Sequence, residues 1–227
     1  MPKIAILLPS NDDIPIPTML SILSLYAYLS KTPLYSDAED ENDVNIYSER
    51  SSLLVGSRQN LMQRALDADN EWILMLDSDM TFPPDIVHRL ASRGKPLIAC
   101  NYVKRVVPSI PITKDFDDNL VFTDPDTTGL QKVKFTGFGV CLLHRSIFDD
   151  FPKPWFDTQW MRQEDGEIFL VGEDVFFFQA LRHFKNVDIY IDHDLSQSVT
   201  HIGQFEYHNR LGKASIEEFE NEQNKNS

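Results

Sequence analysis

Short apolar runs broken by proline, serine and acidic residues punctuate the first half of the chain. Ile4 to Leu8 has the continuous hydrophobicity of a buried strand and stops at Pro9-Ser10. From Thr18 to Ser30 the apolar spacing suits a helix, and Asn45 to Ser48 suits a short second strand. Gly56-Ser57 opens the next helical pattern, with Ser57 as its expected N-cap and an end near Ala68. Trp72 to Leu76 is then wholly apolar and leads into Asp77-Ser78-Asp79. Pro84 marks a helix start running to about Ser92, and Leu97 to Asn101 is the next strand. Strand and helix alternate, so the expected core is a mainly parallel sheet with crossover helices.

Beyond residue 105 the pattern loosens. Pro108 to Thr128, rich in Pro, Asp and Thr, reads as a loop or small hairpin insertion. Val133 to Leu143 is strand-like and carries Gly137-Phe138-Gly139, and Arg145 to Phe151 suggests a short helix. Asp174 to Phe184 predicts a helix with an aromatic face, and Val187 to Ile191 a last strand. Asp37–Asp43 and Glu164–Glu167 read as acidic loops, and the polar stretch from Lys213 as a fraying tail. The resulting division is one domain over 1–212, with halves of about 1–105 and 106–212, and a tail over 213–227.

Charge narrows the partners. Asp and Glu outnumber Lys and Arg by 35 to 21, a formal charge of −14, which disfavours duplex nucleic acid and anionic membrane surfaces. A nucleic-acid acceptor stays possible but unsupported by this balance. Cys100 and Cys141 lie in apolar runs and have no C-x-x-C partner, so they read as buried free thiols. The opening apolar run is too short for a signal peptide, and no stretch is long enough to span a membrane. A soluble, cytoplasmic chain is the expectation.

Three clusters carry candidate chemistry. The carboxyl ends of strands in open α/β sheets are where ligands bind, and Asp77 and Asp79 sit at one such end. Strand periodicity would point both carboxylates the same way, suiting a hard divalent cation that in turn holds phosphates. Glu173-Asp174 precede the aromatic helix, where free amides and the helix dipole favour acidic caps. A carboxylate oriented there beside a bound metal could instead serve as a general base. His201, in Thr200-His201-Ile202-Gly203, comes late enough in the chain to return to the carboxylates and complete a coordination shell with Asp79.

With these residues in order, the chain resembles a nucleotide-sugar-dependent glycosyltransferase of the GT-A fold, similar to the compact family 2 type enzymes of bacteria and bacteriophages. The resemblance runs from about Lys3 to Gln204. It implies an α/β fold with a Rossmann-like, mainly parallel sheet flanked by helices and a small mixed sheet on the acceptor side. Pro9, Ser10, Arg58 and Asn60 would meet the nucleotide, together with Asp77, Ser78, Lys104 and Arg105. Asp79 and His201, with Asp77, would hold Mn²⁺ or Mg²⁺, Asp77 leaning towards the ribose. Gly137, Phe138, Gly139 and Trp155 would wall the acceptor side, and Glu173-Asp174 match the E-D pair that carries the catalytic base. The implied activity is metal-dependent transfer of a hexose or pentose from a nucleoside diphosphate sugar to a hydroxyl, with inversion and Asp174 as base. The Q-x-x-R-W motif of processive relatives is absent.

Two other readings fit parts of the pattern. Asp77-Ser-Asp79-Met-Thr81 also matches D-x-D-x-T of haloacid-dehalogenase phosphatases, with Asp77 as nucleophile. That motif ends the first strand of its domain, whereas strand–helix units precede it here. A non-catalytic nucleotide-sugar-binding module is the other, and the intact D-x-D, E-D and His argue against it. Sugar nucleotidyltransferases need a Gly-rich, Arg-containing loop that Leu8 to Asp13 lacks.

Overall fold

The computed structural model describes residues 2–11, 13–35, 42–162, 165–203 and 206–225. Most of the acidic stretch Asp37–Asp43, and the first residue of Glu164–Glu167, lie outside them.

The first half builds as alternating strands and helices: β1 (Lys3–Ser10), α1 (Ile16–Leu29), β2 (Asp43–Arg50), α2 (Leu54–Asp67) and β3 (Trp72–Leu76). A two-residue strand, β4 (Met80–Thr81), precedes α3 (Ile86–Ser92) and β5 (Leu97–Ala99). Then come β6 (Leu130–Val133), β7 (Val140–His144) and a 3-10 turn at Arg145–Phe148. The hairpin β8 (Gln159–Arg162) and β9 (Ile168–Val171) leads into α4 (Glu173–Lys185) and β10 (Ile189–Asp192). The chain closes with α5 (His193–Ser196), β11 (Thr200–Ile202), β12 (Glu206–His208) and α6 (Arg210–Lys225).

The main sheet has seven strands in the order β2-β1-β3-β7-β5-β10-β6. Five run one way; β7 and β6 run against their neighbours. Consecutive residues face opposite sides of a strand, and both sides are apolar here. On one face Ala5, Leu7, Ile73 and Met75 pack with Leu61 and Met62 of α2 and Phe177 and Phe178 of α4. On the other, Ile4, Ile6, Leu74 and Leu76 pack with Ile22 and Leu25 of α1 and Ile86 and Leu90 of α3. The result is a helix–sheet–helix sandwich, the mainly parallel α/β architecture that the sequence predicts.

Several local expectations change. Ser57 is buried inside α2 rather than capping it; Leu53 is the N-cap, and its amide donates to the Ser51 hydroxyl. Val133–Leu143 is two strands separated by a turn, because Gly137 and Gly139 must pass close to Tyr102. The last strand of the main sheet ends at Asp192, but two more follow: β4, β11 and β12 form a small sheet that is antiparallel throughout, not mixed. The polar C-terminal stretch lies in a helix through Lys225. Cys100 and Cys141 are buried free thiols.

Candidate active site

The apolar run of β3 stops at Leu76 because Asp77 takes up a buried cation. The Arg58 guanidinium, on α2 and 4% exposed, donates to Asp77 Oδ1 at 2.6 Å and to Glu173 Oε1 at 2.5 Å. Burial alone would weaken its charge, but Asp77, Glu173 and Asp174 outweigh that and hold it more firmly protonated than usual. Its plane lies over the Phe138 ring, 4.9 Å from the centroid. Planar donors that fork between two carboxylates suit Arg and no other side chain. One residue thus ties the end of β3 to the start of α4.

Ser78 and Asp79 then turn away from the strand, so the two carboxylates do not share one partner set, as extended geometry would require. Asp79 Oδ2 lies 3.0 Å from Arg105 and 3.3 Å from His201 Nε2. Burial pushes the Asp79 carboxyl up, but the hydrogen bond and charge of His201 and the charge of Arg105 outweigh it, leaving it below the usual carboxylate range. His201 reaches Asp79 because β11 pairs with β4, and the Ile202 amide donates to the Asp79 carbonyl at 2.7 Å.

The imidazole is oriented from behind. Its Nδ1 lies 2.9 Å from the Val103 carbonyl, which only accepts, so Nδ1 carries the proton. In the neutral ring, Nε2 then presents a lone pair towards a carboxylate oxygen. Facing acceptors of this kind are satisfied by a proton on the ring or by a cation between them. A carbonyl-held imidazole beside a carboxylate is also how metal-ligating His residues are fixed. Asp79 and His201 therefore fit a divalent cation. Among the described residues no third His, Cys, Asp or Glu joins them, so further ligands would come from substrate oxygens or water.

Asp174 has the opposite environment. Burial first, then the neighbouring Glu173 charge, push its carboxyl up to about 6, against a hydrogen bond from the Val175 amide at 2.7 Å. The N-cap of α4 is Gly172, so Glu173 and Asp174 form its first turn.

Arg58, Asp77, Asp79, Arg105 and His201 border a cleft of about 570 Å³ at the carboxyl ends of β1 and β3. Glu173 and Asp174 are not among its lining residues, and Glu173 joins it through Arg58. Of the expected nucleotide contacts, Pro9, Arg58, Asp77, Ser78 and Arg105 line it, with Asp79 and His201. Asn11, Asp13 and Pro15, from the loop after β1, were not singled out by the sequence, although a loop at a strand's carboxyl end is the place to look. Asn60 is exposed and donates to Glu49 on β2, and Lys104 faces a different cleft; neither lines this one. Ser10 is buried.

The acceptor-side expectations shift most. Phe138 is 1% exposed and stacks on Phe178, and Trp155 is 4% exposed with its indole N–H on the Phe151 carbonyl. Both are core, not wall, because each packs into the same buried aromatic cluster. Gly137 and Gly139 serve packing. A Cβ on Gly139 would come within 2.7 Å of the Tyr102 ring, and one on Gly137 would overlap the Tyr102 hydroxyl. Tyr102, 6% exposed, sits edge-on to His201 with ring centroids 5.4 Å apart and accepts from the Gly139 amide.

The model of the family described as Anp1, a glycosyltransferase family, matches residues 24–132, a little under half of the chain. Among solved structures, A197 from STIV is 17% identical with a TM-score of 0.55, over 90% of this chain and 87% of that one. A glycosyltransferase involved in glycosylation of the major capsid of PBCV-1 is also 17% identical, with a TM-score of 0.34 over 64% of this chain and 61% of that one. No curated protein sequence matches. The chain therefore shares its α/β fold with A197 from STIV, and over residues 24–132 it is similar to the Anp1 family of glycosyltransferases.

Proposed function

We propose that this cleft binds a nucleoside diphosphate sugar together with Mn²⁺ or Mg²⁺ and transfers the hexose or pentose, with inversion, to a hydroxyl acceptor. The meeting of Asp79 and His201 across β4 and β11, at the mouth of β3, carries the reading. Asp79 and His201 Nε2 would hold the cation, which would neutralise charge on the departing diphosphate. Arg105, half-exposed beside Asp79, is placed to add charge to the same phosphates. Asp174, as its carboxylate, takes the proton from the acceptor hydroxyl while that oxygen bonds to the anomeric carbon. The bond from that carbon to the diphosphate oxygen breaks, and its electron pair leaves with the nucleotide. General-base help of this kind contributes roughly 10²–10⁴ in rate.

Asp77 has a narrower role than its motif suggests. Its ion pair with Arg58 supports positioning, with its remaining oxygen facing the donor, in preference to metal ligation. The same ion pair counts against a phosphatase in which Asp77 is a free nucleophile. The test is a thermal-shift screen of nucleoside diphosphates and their sugars with and without Mn²⁺. Metal-dependent stabilisation by at least one nucleotide is expected, and it should vanish in Asp79→Ala. No metal-dependent shift with any nucleotide would overturn the reading.

A further inference from the structure

A second cleft, of about 720 Å³, opens beside the first and shares Arg105, His201 and Gly203 with it. The two differ sharply in charge. The first is bordered by three carboxylates, Asp13, Asp77 and Asp79, as suits a cation and the diphosphate it holds. Among the described residues no carboxylate lines the second, although the chain carries a formal charge of −14. Its polar lining is Lys104, Arg105 and His201, and its remaining walls are aromatic and aliphatic: Tyr102, Tyr207, Val106, Val107 and Ile112, with Gly203 between.

Its construction is specific. Gly137 and Gly139 leave room for the Tyr102 ring, which stands against His201. Gly203 lets Arg105 and Tyr207 close in on the backbone, since a Cβ there would meet them at 3.0 and 2.9 Å. Arg105 already faces Asp79, whereas Lys104 is exposed and none of the described carboxylates pairs with its ammonium. Lys104 is therefore the cation of this cleft that has no carboxylate partner among the described residues.

We propose that the second cleft is the acceptor subsite, and that the acceptor carries a carboxylate or phosphate beside the hydroxyl that receives the sugar. This rests on the glycosyl-transfer reading of the adjoining cleft. An acceptor ring lies against the tyrosine and valine walls, its anionic group reaches Lys104, and its hydroxyl points across Arg105 and His201 towards the donor.

The experiment uses the full chain and three probes that share one ring: glucose, glucuronate and glucose 6-phosphate. Each is titrated calorimetrically, alone and with Mn²⁺ and the most stabilising nucleoside diphosphate. At least one anionic probe should bind about tenfold or more tighter than glucose, the scale of one charge-assisted contact. Which of the two does so identifies carboxylate or phosphate as the recognised group. Lys104→Glu should abolish that preference and leave nucleotide affinity within about twofold, and Lys104→Ala should do the same if the glutamate variant misfolds. Equal binding of all three probes, no binding by either anionic probe, or a preference that survives both variants would overturn the proposal. So would a comparable loss of nucleotide affinity in the Lys104 variants, because the cleft would then hold the donor's diphosphate. If no nucleotide binds but the Lys104-dependent preference remains, the donor reading fails and the anion-selective cleft stands.

Discussion

Two neighbouring residues, Glu173 and Asp174, share one sequence motif and have opposite fates. Arg58 neutralises the first, and the second is left to burial and to its neighbour's charge. With Asp174 raised to about 6, kcat/KM should fall about tenfold per pH unit below pH 6, where the base is protonated. The sign for stability is the reverse of a salt-bridged acid. The folded chain binds more protons than the unfolded one between the ordinary value of 3.8 and about 6, so this group makes stability fall as pH rises through that window. Asp174→Asn should thus unfold at higher urea than the parent at pH 7.5, by roughly 1–2 kcal/mol once screening of a partly exposed group is allowed for. The gain should disappear near pH 4, and turnover should be lost with nucleotide binding kept. Arg58→Met should cost about 2–4 kcal/mol in the same assay, because two part-buried carboxylates lose their counter-charge. The return of His201 to Asp79 was legible in the chain order, as was the place of Glu173 and Asp174 at the start of α4. Arg58's partners were not, since Glu173 lies 115 residues away in sequence and nothing local marks Asp77 as its other partner.

At the scale of elements, continuous apolar runs identified β1, β3 and β5 directly, because strands covered on both faces carry no alternation. That same property hid the insertion of β7 between β3 and β5: a buried antiparallel strand has the composition of a parallel one. It also hid the purpose of Gly137-Phe138-Gly139, a motif that reads as a sugar wall but acts as a seat for Tyr102. Gly139→Ala should push that ring towards His201 and destabilise by about 1–3 kcal/mol, as overpacking does. Circular dichroism of this variant should keep the α/β signature, while its Mn²⁺-dependent nucleotide shift shrinks. A full-sized shift would mean that Tyr102 does not position the imidazole.

For the whole molecule, ligand stabilisation gives the most direct scale. A nucleotide and Mn²⁺ at a hundred times their dissociation constant should add about 2.7 kcal/mol, or about 5–10 °C in Tm for a chain of this size. In Asp79→Ala only the metal-independent part should remain. The layered α/β plan was legible because it follows from alternating patterns close together in sequence. The small sheet was not, because β4 and β11 are brief and meet only in three dimensions. That meeting has a temporal consequence. All seven strands of the main sheet are in place by Asp192, but the imidazole that faces Asp79 arrives only with Thr200–Ile202. During synthesis the sheet can therefore form before the site does, and a chain interrupted after Val199 would carry every strand of the main sheet but lack the imidazole that faces Asp79.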